Sequence, residues 1–274
     1  MKKVVGISFS PRKLGNCEIA IKEIVNNIPE DLDFEFIQMS KFNIKQCIAC
    51  YKCLFEGSKC KLDDDFYEVF NKIIEADGLI LAVPSYFLGP NSSFKVFIDR
   101  FLISYNYYKQ LYMKPTILIT LAGVKPSGEG YVDLALKTTA RALNLDVKGS
   151  AVLYGALPGE VLLDDDNIET LKRLAKNLFG EKEKIIEEHG NVCSICGSNY
   201  FEFLENNFVK CIVCKNKGRI VIEDNKLNIY MEQTGEPFYG TKEANIKHKQ
   251  WLMNMKERFI SERKKLKEIT KKYL

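Results

Sequence analysis

The chain has 274 residues, 46% hydrophobic and 28% charged, ordinary proportions for a globular protein with room for one large domain and a module. No apolar run reaches the length of a membrane span, so nothing in the sequence reads as a membrane helix. The formal charge of +4 is uneven: residues 242–274 carry eleven Lys or Arg against four Asp or Glu, while the other 241 residues hold 29 basic and 32 acidic side chains. The basic tail reads first as the solvated face of a helix, with an acidic partner or nucleic acid as alternatives. The start, Met1-Lys2-Lys3 followed by Val4 to Ile7, is too short in its apolar part for a signal core and reads as a buried strand. Of nine cysteines only Cys17 stands alone; the other eight form tight groups of the kind read as metal ligands in a reducing compartment. The expectation is a cytoplasmic protein.

Lys3 to Phe9 predicts the first strand, and Glu18 to Ile28 a helix. The loop between them is small, polar and basic. Strand, polar loop and helix start form an arrangement suited to phosphate, with hydroxyls and free N–H groups at the helix N-terminus and Arg12 adding charge. It is neither a Walker loop nor a dinucleotide fingerprint, and an ordinary polar turn is the alternative.

Phe34 to Met39 predicts the second strand, and a cysteine loop follows at 42–61. Cys47, Cys50, Cys53 and Cys60 have the spacing C-x2-C-x2-C-x6-C. Two-residue gaps let neighbouring thiolates converge while backbone N–H groups turn toward the sulfurs. Four thiolates on one short loop suit an iron–sulfur cluster, with a lone zinc or adjacent buried cysteines as alternatives. Asp63-Asp64-Asp65 then opens a helix running to about Ala76, its acidic residues reading as caps at the positive end.

Gly78 to Val83 is a continuous apolar run, as in a central parallel strand. Pro84 to Pro90 ends it, and a helix bearing Phe94, Phe97, Ile98 and Phe101 follows. Ligands bind at that carboxyl edge of a parallel sheet, where Tyr86 and Phe87 either stack on a planar ring or serve as core or interface aromatics. Thr116 to Leu121 predicts the next strand, residues 122–130 a Gly-rich loop, 131–144 a helix, Val147 to Tyr154 a last strand and 165–188 a last helix. This alternation predicts an α/β fold, an open, doubly wound, five-stranded parallel sheet with flavodoxin-like connectivity. The loops 8–17, 84–90 and 122–130 should meet at one sheet edge.

Gly6-Ile7-Ser8-Phe9-Ser10-Pro11-Arg12 with Asn16, the cysteine array, Pro84-Ser85-Tyr86-Phe87 and Lys95-Val96-Phe97-Ile98-Asp99-Arg100 together resemble the iron–sulfur flavoprotein family, a branch of the NAD(P)H-dependent FMN reductases. The resemblance spans about residues 1–180. It implies one FMN per subunit, its phosphate held by Ser8, Ser10, Arg12, Asn16 and Cys17. Pro84, Ser85, Tyr86, Phe87 and Gly89 would line the ribityl chain and isoalloxazine, and the 122–130 loop, with Ala122, Gly123 and Gly128, would approach the other side. It further implies a 4Fe-4S cluster on Cys47, Cys50, Cys53 and Cys60, and dimers or tetramers in which one subunit's cluster nears another's FMN. Two positions depart from the family pattern. Cys17 stands where Thr or Ser is usual, so its backbone N–H would contribute more than its thiol. Phe9 replaces a small residue and would narrow the pocket.

After about residue 189 the composition changes. Cys193-x2-Cys196 and Cys211-x2-Cys214 are two knuckles fourteen residues apart. Short strands around Glu205-Asn206-Asn207 and a hairpin at Asp224-Asn225 complete a small β framework resembling a zinc ribbon. The same four sulfurs can hold a single rubredoxin-type iron, but the Pro and Gly pattern usual in rubredoxin is missing. Gly240 to Leu274 predicts a terminal helix whose Leu252, Met255, Phe259, Leu266, Ile269 and Tyr273 keep heptad spacing, interrupted at Glu262, with Trp251 beside the stripe. His189 and His248 sit in no metal-type spacing.

The chain thus divides into an FMN-binding domain (1–188), a four-cysteine module (189–232) and a basic amphipathic helix (233–274). The expected activity is a flavin redox enzyme that moves electrons between NAD(P)H or a ferredoxin-like donor, FMN and the cluster. No side chain stands out as an acid or base. A redox sensor contacting nucleic acid, or a carrier with no substrate of its own, are the alternatives; nucleic acid is the less expected because residues 193–214 are not strongly basic.

Overall fold

The computed structural model describes residues 1–55, 59–180, 191–234 and 240–274. In chain order the first unit contains β1 (Lys2–Ser8), α1 (Asn16–Asn26), β2 (Leu32–Gln38), α2 (Phe66–Glu75), β3 (Gly78–Tyr86), β4 (Gly89–Pro90), α3 (Ser92–Ile98), α4 (Tyr108–Leu111), β5 (Pro115–Ala122), α5 (Val132–Ala142), β6 (Asp146–Tyr154) and α6 (Asp165–Asn177). The five long strands are parallel in the order β2-β1-β3-β5-β6, and β4 pairs antiparallel with the end of β3. This is the flavodoxin-like order, with its switch point between β1 and β3.

The middles of β1, β3 and β5 are mainly apolar and buried because both sheet faces are covered. One face packs on α2, α3 and α5 through Phe66, Phe70, Phe94, Phe97 and Leu136; the other packs on α1 and α6 through Ile21, Ile24, Leu171 and Leu174. Phe9 belongs to the first of these cores. Its ring meets Phe94 edge-on at 5.2 Å and is 2% exposed, so it does not narrow a ligand pocket. Phe9 N–H still donates to Ala82 O at 3.0 Å, so its side chain continues the alternation of Val5 and Ile7 into the same core. The last predicted helix reaches Asn177, where 188 was expected; residues 181–188, the domain boundary at 188/189 and His189 lie outside the described residues.

A second sheet contains β7 (Phe201–Phe203), β8 (Phe208–Cys211), β9 (Lys217–Glu223) and β10 (Lys226–Glu232), all antiparallel in the order β10-β9-β8-β7. Its tight turns use Asn206, Asn207, Asp224 and Asn225 with φ between 50° and 61°, a conformation Asn and Asp tolerate. The module sits on α5: Leu134 packs on its cysteine core, and Tyr200 Oη donates to Asp133 Oδ2 at 2.9 Å.

The terminal helix is not continuous. α7 (Lys242–Ser261) ends at Glu262, whose backbone (φ −94°, ψ 4°) leaves the helical region before α8 (Arg263–Thr270) begins. The break falls at the polar residue that interrupts the apolar stripe. Early α7 is anchored: Ala244, Asn245 and Leu252 are buried, Lys249 Nζ donates to Asn106 Oδ1 at 2.8 Å, and His248 lies between the rings of Tyr105 and Trp251. His248 is thus a packing residue. No helix among the described residues is long and apolar enough to cross a membrane.

Candidate functional site

β1 delivers Ser8 to the carboxyl edge of the sheet, and the loop beyond it turns into α1. Ser8 Oγ accepts from the Ser10 N–H (3.3 Å), and Ser10 Oγ accepts from the Arg12 N–H (3.2 Å), so both buried hydroxyls line the loop. The cap position of α1 is Gly15, which offers no side-chain oxygen to the first-turn N–H groups. An uncapped N-terminus beside hydroxyls is a ready anion site. Arg12 is exposed and donates from Nη1 to the Ala156 carbonyl at 2.8 Å.

The side chain of Asn16 has other work. Its Nδ2 donates to Gly155 O at 2.7 Å and its Oδ1 accepts from the Gly159 N–H at 2.9 Å, tying α1 to the segment after β6. Only its backbone N–H is left for an anion. Cys17 is 1% exposed, and burial pushes its thiol up to about 12, so it stays protonated at physiological pH.

Beyond Pro84, Ser85 pairs with Pro90 and Tyr86 with Gly89, leaving Phe87-Leu88 as a two-residue turn. Both turn residues have positive φ (53° and 63°), a geometry usually filled by Asn-Gly. Bulky side chains there store strain and point outward: Phe87 is fully exposed and Tyr86 43% exposed. Neither is a core aromatic. A Cβ at Gly89 would lie 2.7 Å from Tyr131 Oη, and Gly130 (φ +56°) lets the backbone pass the Leu88 carbonyl, which accepts from the Tyr131 N–H at 3.0 Å. Ala122 O accepts from the Gly155 N–H (2.8 Å), Val124 O from the Gly128 N–H (2.9 Å), and Gly123 faces Ala156. The loops after β1, β3, β5 and β6 therefore form one stitched rim. Tyr131, which braces two of them, had no sequence signal beyond its place after Gly130. Ser85 Oγ is buried on this rim with no hydrogen-bond partner. A buried orphan hydroxyl is uncommon in a native fold and fits a polar ligand at the switch point.

The cysteine loop leaves the same edge of β2. Its neck is closed by the acidic run: Asp65 Oδ2 accepts from the Asn43 N–H (2.7 Å) and Asp64 Oδ2 from the Lys45 N–H (2.8 Å). Asp64 does accept from the Phe66 N–H at the start of α2 (3.2 Å), but it also forms an ion pair with Arg100 at 2.6 Å, both side chains being no more than 1% exposed. Arg100 further donates to Lys45 O (2.9 Å), stacks 4.5 Å from the Phe66 ring centroid and lies near the Cys60 thiol. The Asp run is therefore more than a cap; sequence gave no warning of this clamp, since its partners lie 36 residues apart.

At the crown, Ala49 and Tyr51 have φ of 52° and 57°. Left-handed residues on both sides of Cys50 make the backbone turn sharply there, as a short loop carrying several metal-type cysteines must. Asn106 Nδ2 holds Cys53 O (2.8 Å), and Tyr67 Oη accepts from the Cys60 N–H (2.7 Å). Burial, and then the nearby thiols of Cys60, Cys47 and Cys50, push Cys53 up to about 11. Among the described residues, however, only the second cysteine set gathers its ligand atoms within 4.8 Å.

In that second set, Sγ of Cys193 and Cys214 are 3.6 Å apart, and those of Cys196 and Cys211 3.5 Å. A tetrahedral ion with bonds of about 2.3 Å sets its sulfurs about 3.8 Å apart, so the cage fits one ion. Asn216 Nδ2 approaches Cys214 Sγ at 3.3 Å, the kind of outer contact that orients a ligand.

Comparison with known proteins places these features in a family. The NADPH-dependent FMN reductase family matches residues 2–155. An iron–sulfur flavoprotein of Methanocaldococcus jannaschii is 42% identical over 99 residues, 36% of this chain and 51% of that protein; the chain thus spans about half the length of that relative. An iron–sulfur flavoprotein of Archaeoglobus fulgidus is 34% identical over 189 residues, 64% of this chain and 78% of that protein. Among solved structures, a flavone reductase shares the architecture over 99% of this chain and 97% of its own, with a TM-score of 0.68 and 18% identity. The chain belongs to the NADPH-dependent FMN reductase family and, within it, to the iron–sulfur flavoproteins, a group of flavin-dependent oxidoreductases.

Proposed function

We propose that the protein takes electrons from NAD(P)H through an FMN on the rim of the β1, β3 and β5 loops and passes them to a 4Fe-4S cluster in the cysteine loop. The observation that carries this reading is the meeting of an uncapped helix N-terminus, an orphan buried hydroxyl and a four-thiol loop on one edge of one sheet. FMN supplies the interchange between two-electron and one-electron chemistry that a nicotinamide donor and a cluster require.

The chain's own part is position. The α1 N-terminus, Ser8, Ser10 and Arg12 hold the phosphate, with Asn16 and Cys17 offering backbone N–H groups. Pro84, Ser85 and Gly89 bound the ribityl side, and Ala122, Gly123 and Gly128 bound the opposite side. Tyr86 and Phe87 present flat faces for a ring. Cys47, Cys50, Cys53 and Cys60 hold the cluster, and Cys193, Cys196, Cys211 and Cys214 hold a structural zinc. Zinc is preferred to iron because the four cysteines and Val213 are themselves the module's core, which calls for a staple. Anaerobic addition of NADPH or NADH should bleach the flavin bands first and the broad iron–sulfur absorption afterwards. A flavin that neither nucleotide reduces would sink the assignment of the donor.

Two substitutions divide the site. Cys50→Ser, at an exposed ligand, should remove the iron–sulfur absorption and leave FMN bound; loss of both would mean that the cysteine loop also builds the flavin rim. Gly130→Ala would place a Cβ 1.8 Å from the Leu88 carbonyl at a positive φ. It should cost about 1–3 kcal/mol of stability and loosen the 84–90 turn, raising the FMN dissociation constant roughly tenfold or more. Thermal unfolding and flavin titration check both effects.

A further inference from the structure

The second half of α7 and all of α8 carry an apolar seam that the chain leaves uncovered. Leu252, Met255, Phe259, Leu266, Ile269 and Tyr273 keep the alternating three- and four-residue intervals of a coiled-coil seam, yet only Leu252 is buried. Phe259 is 57% exposed and Ile269 45%. The seam faces the cysteine loop. Between the two runs a groove of about 930 Å³, walled on the loop side by Cys50, Tyr51, Leu54 and Phe55.

Charge decides what can fill it. The positions that flank the seam on its two sides are Lys256, Arg258, Arg263, Lys265, Thr270 and Lys272, five cations; the one acid that lines the groove is Glu262, in the seam itself. None of the five forms an ion pair among the described residues. A second copy of this helix would set cation against cation at its flanking positions in either direction, so a homotypic coiled coil is disfavoured. A helix lying on a bilayer turns its apolar side outward into lipid, whereas this one turns it toward a protein wall. The complement is a protein surface with an apolar ridge edged by carboxylates.

Taken together with the cluster assigned above to the loop, on which this inference rests, the geometry points to a docking groove for an acidic electron-carrier protein. The carrier's apolar ridge enters between Phe55 and Phe259, and its carboxylates meet Lys256, Arg258 and Lys265. Cys50, exposed on the wall, puts the loop's redox centre against the carrier. One electron crosses per encounter, from the reduced centre to the oxidised one, and no bond forms or breaks. A small apolar contact rimmed by charge suits a transient complex of this kind.

The test uses anaerobically purified holoprotein, its FMN and iron measured first, and a labelled acidic [2Fe–2S] ferredoxin as probe. Fluorescence anisotropy should show binding that weakens at least tenfold between about 0.05 M and about 0.5 M salt. The reversal Lys256→Glu/Arg258→Glu/Lys265→Glu should raise the dissociation constant at least tenfold. A charge-matched control on α6, Lys172→Glu/Arg173→Glu/Lys176→Glu, should leave it unchanged. Phe259→Ser should weaken binding at high salt as well. Equal losses from both charge reversals would overturn the groove. So would a fully loaded, NAD(P)H-reducible protein that fails to bind ferredoxin, or that binds anionic phosphatidylglycerol vesicles through the groove instead. Missing flavin or iron would contradict the proposed function itself, and docking would then be judged by the binding data alone.

Discussion

Cys211→Ala should strip the ion from the second cysteine set and unfold β7 to β10 while leaving the flavin-binding sheet folded. Cys211 is fully buried, its sulfur lies 3.5 Å from that of Cys196 in a set of four sulfurs all within 4.8 Å of one another, and those cysteines are the module's core. Structural zinc contributes about 10–16 kcal/mol in small zinc-binding peptides, more than so short a sheet could replace by burial. Hydrogen exchange should show the amides of β8 and β9 losing protection to near the unfolded level. The flavin spectrum should survive, because the hydrogen bonds that stitch the rim, among Leu88, Tyr131, Ala122, Val124, Gly128 and Gly155, do not run through Asp133 and Leu134, the first-turn α5 residues that touch the module. Retained protection after loss of the ion would mean that the sheet stands without it.

The second large effect is expected at Arg100. Arg100→Met leaves the Asp64 carboxylate buried without its partner, which should cost about 3–5 kcal/mol, a large share of a typical domain's stability. Asp64→Asn/Arg100→Met should recover part of that loss. The pH dependence separates this mechanism from simple misfolding. In the native protein, burial alone would raise the Asp64 carboxyl, but hydrogen bonds from Arg100 and the backbone N–H groups of Lys45 and Phe66 hold it below its ordinary value. Stability from this group is therefore present above the unfolded pKa, near 3.9, and is lost as pH falls through the lower folded value. In Arg100→Met the folded pKa should rise above the unfolded one, so the sign reverses and the variant should gain stability on acidification from pH 7 toward pH 5. Denaturant midpoints at the two pH values measure this. A midpoint that falls on acidification of the variant would show that Asp64 is not the group left exposed to the interior. Because Arg100 also lies near Cys60, the same variant should lose iron more readily.

The parts of the fold legible in the sequence were those governed by local pattern. The middles of β1, β3 and β5 are mainly apolar because both their faces are covered, and that leaves a readable signature. Cysteine spacing marked both sets of thiols, and Asn206-Asn207 and Asp224-Asn225 marked their turns because those residues tolerate positive φ. What stayed hidden depended on distant partners. Nothing local shows that Asp64 pairs with Arg100, that the side chain of Asn16 bridges to Gly155 and Gly159, or that Tyr131 braces the Phe87-Leu88 turn. Phe9 needed no distant partner: it continues the alternation of Val5 and Ile7 into the α3 core, so its inward course was legible in the strand pattern. The break at Glu262 was half legible: the polar residue in the stripe was visible, its backbone conformation was not.

The most direct test of the account is the cofactor content of anaerobically purified protein, read as a visible spectrum with flavin and metal analysis. One FMN, about four irons and one zinc per chain are predicted, with flavin bands above a broad iron–sulfur absorption. Five irons without zinc would turn the second cysteine set into a rubredoxin-like centre and leave the flavin and cluster assignments intact. A colourless protein that takes up neither FMN nor iron on reconstitution would contradict the account at its centre.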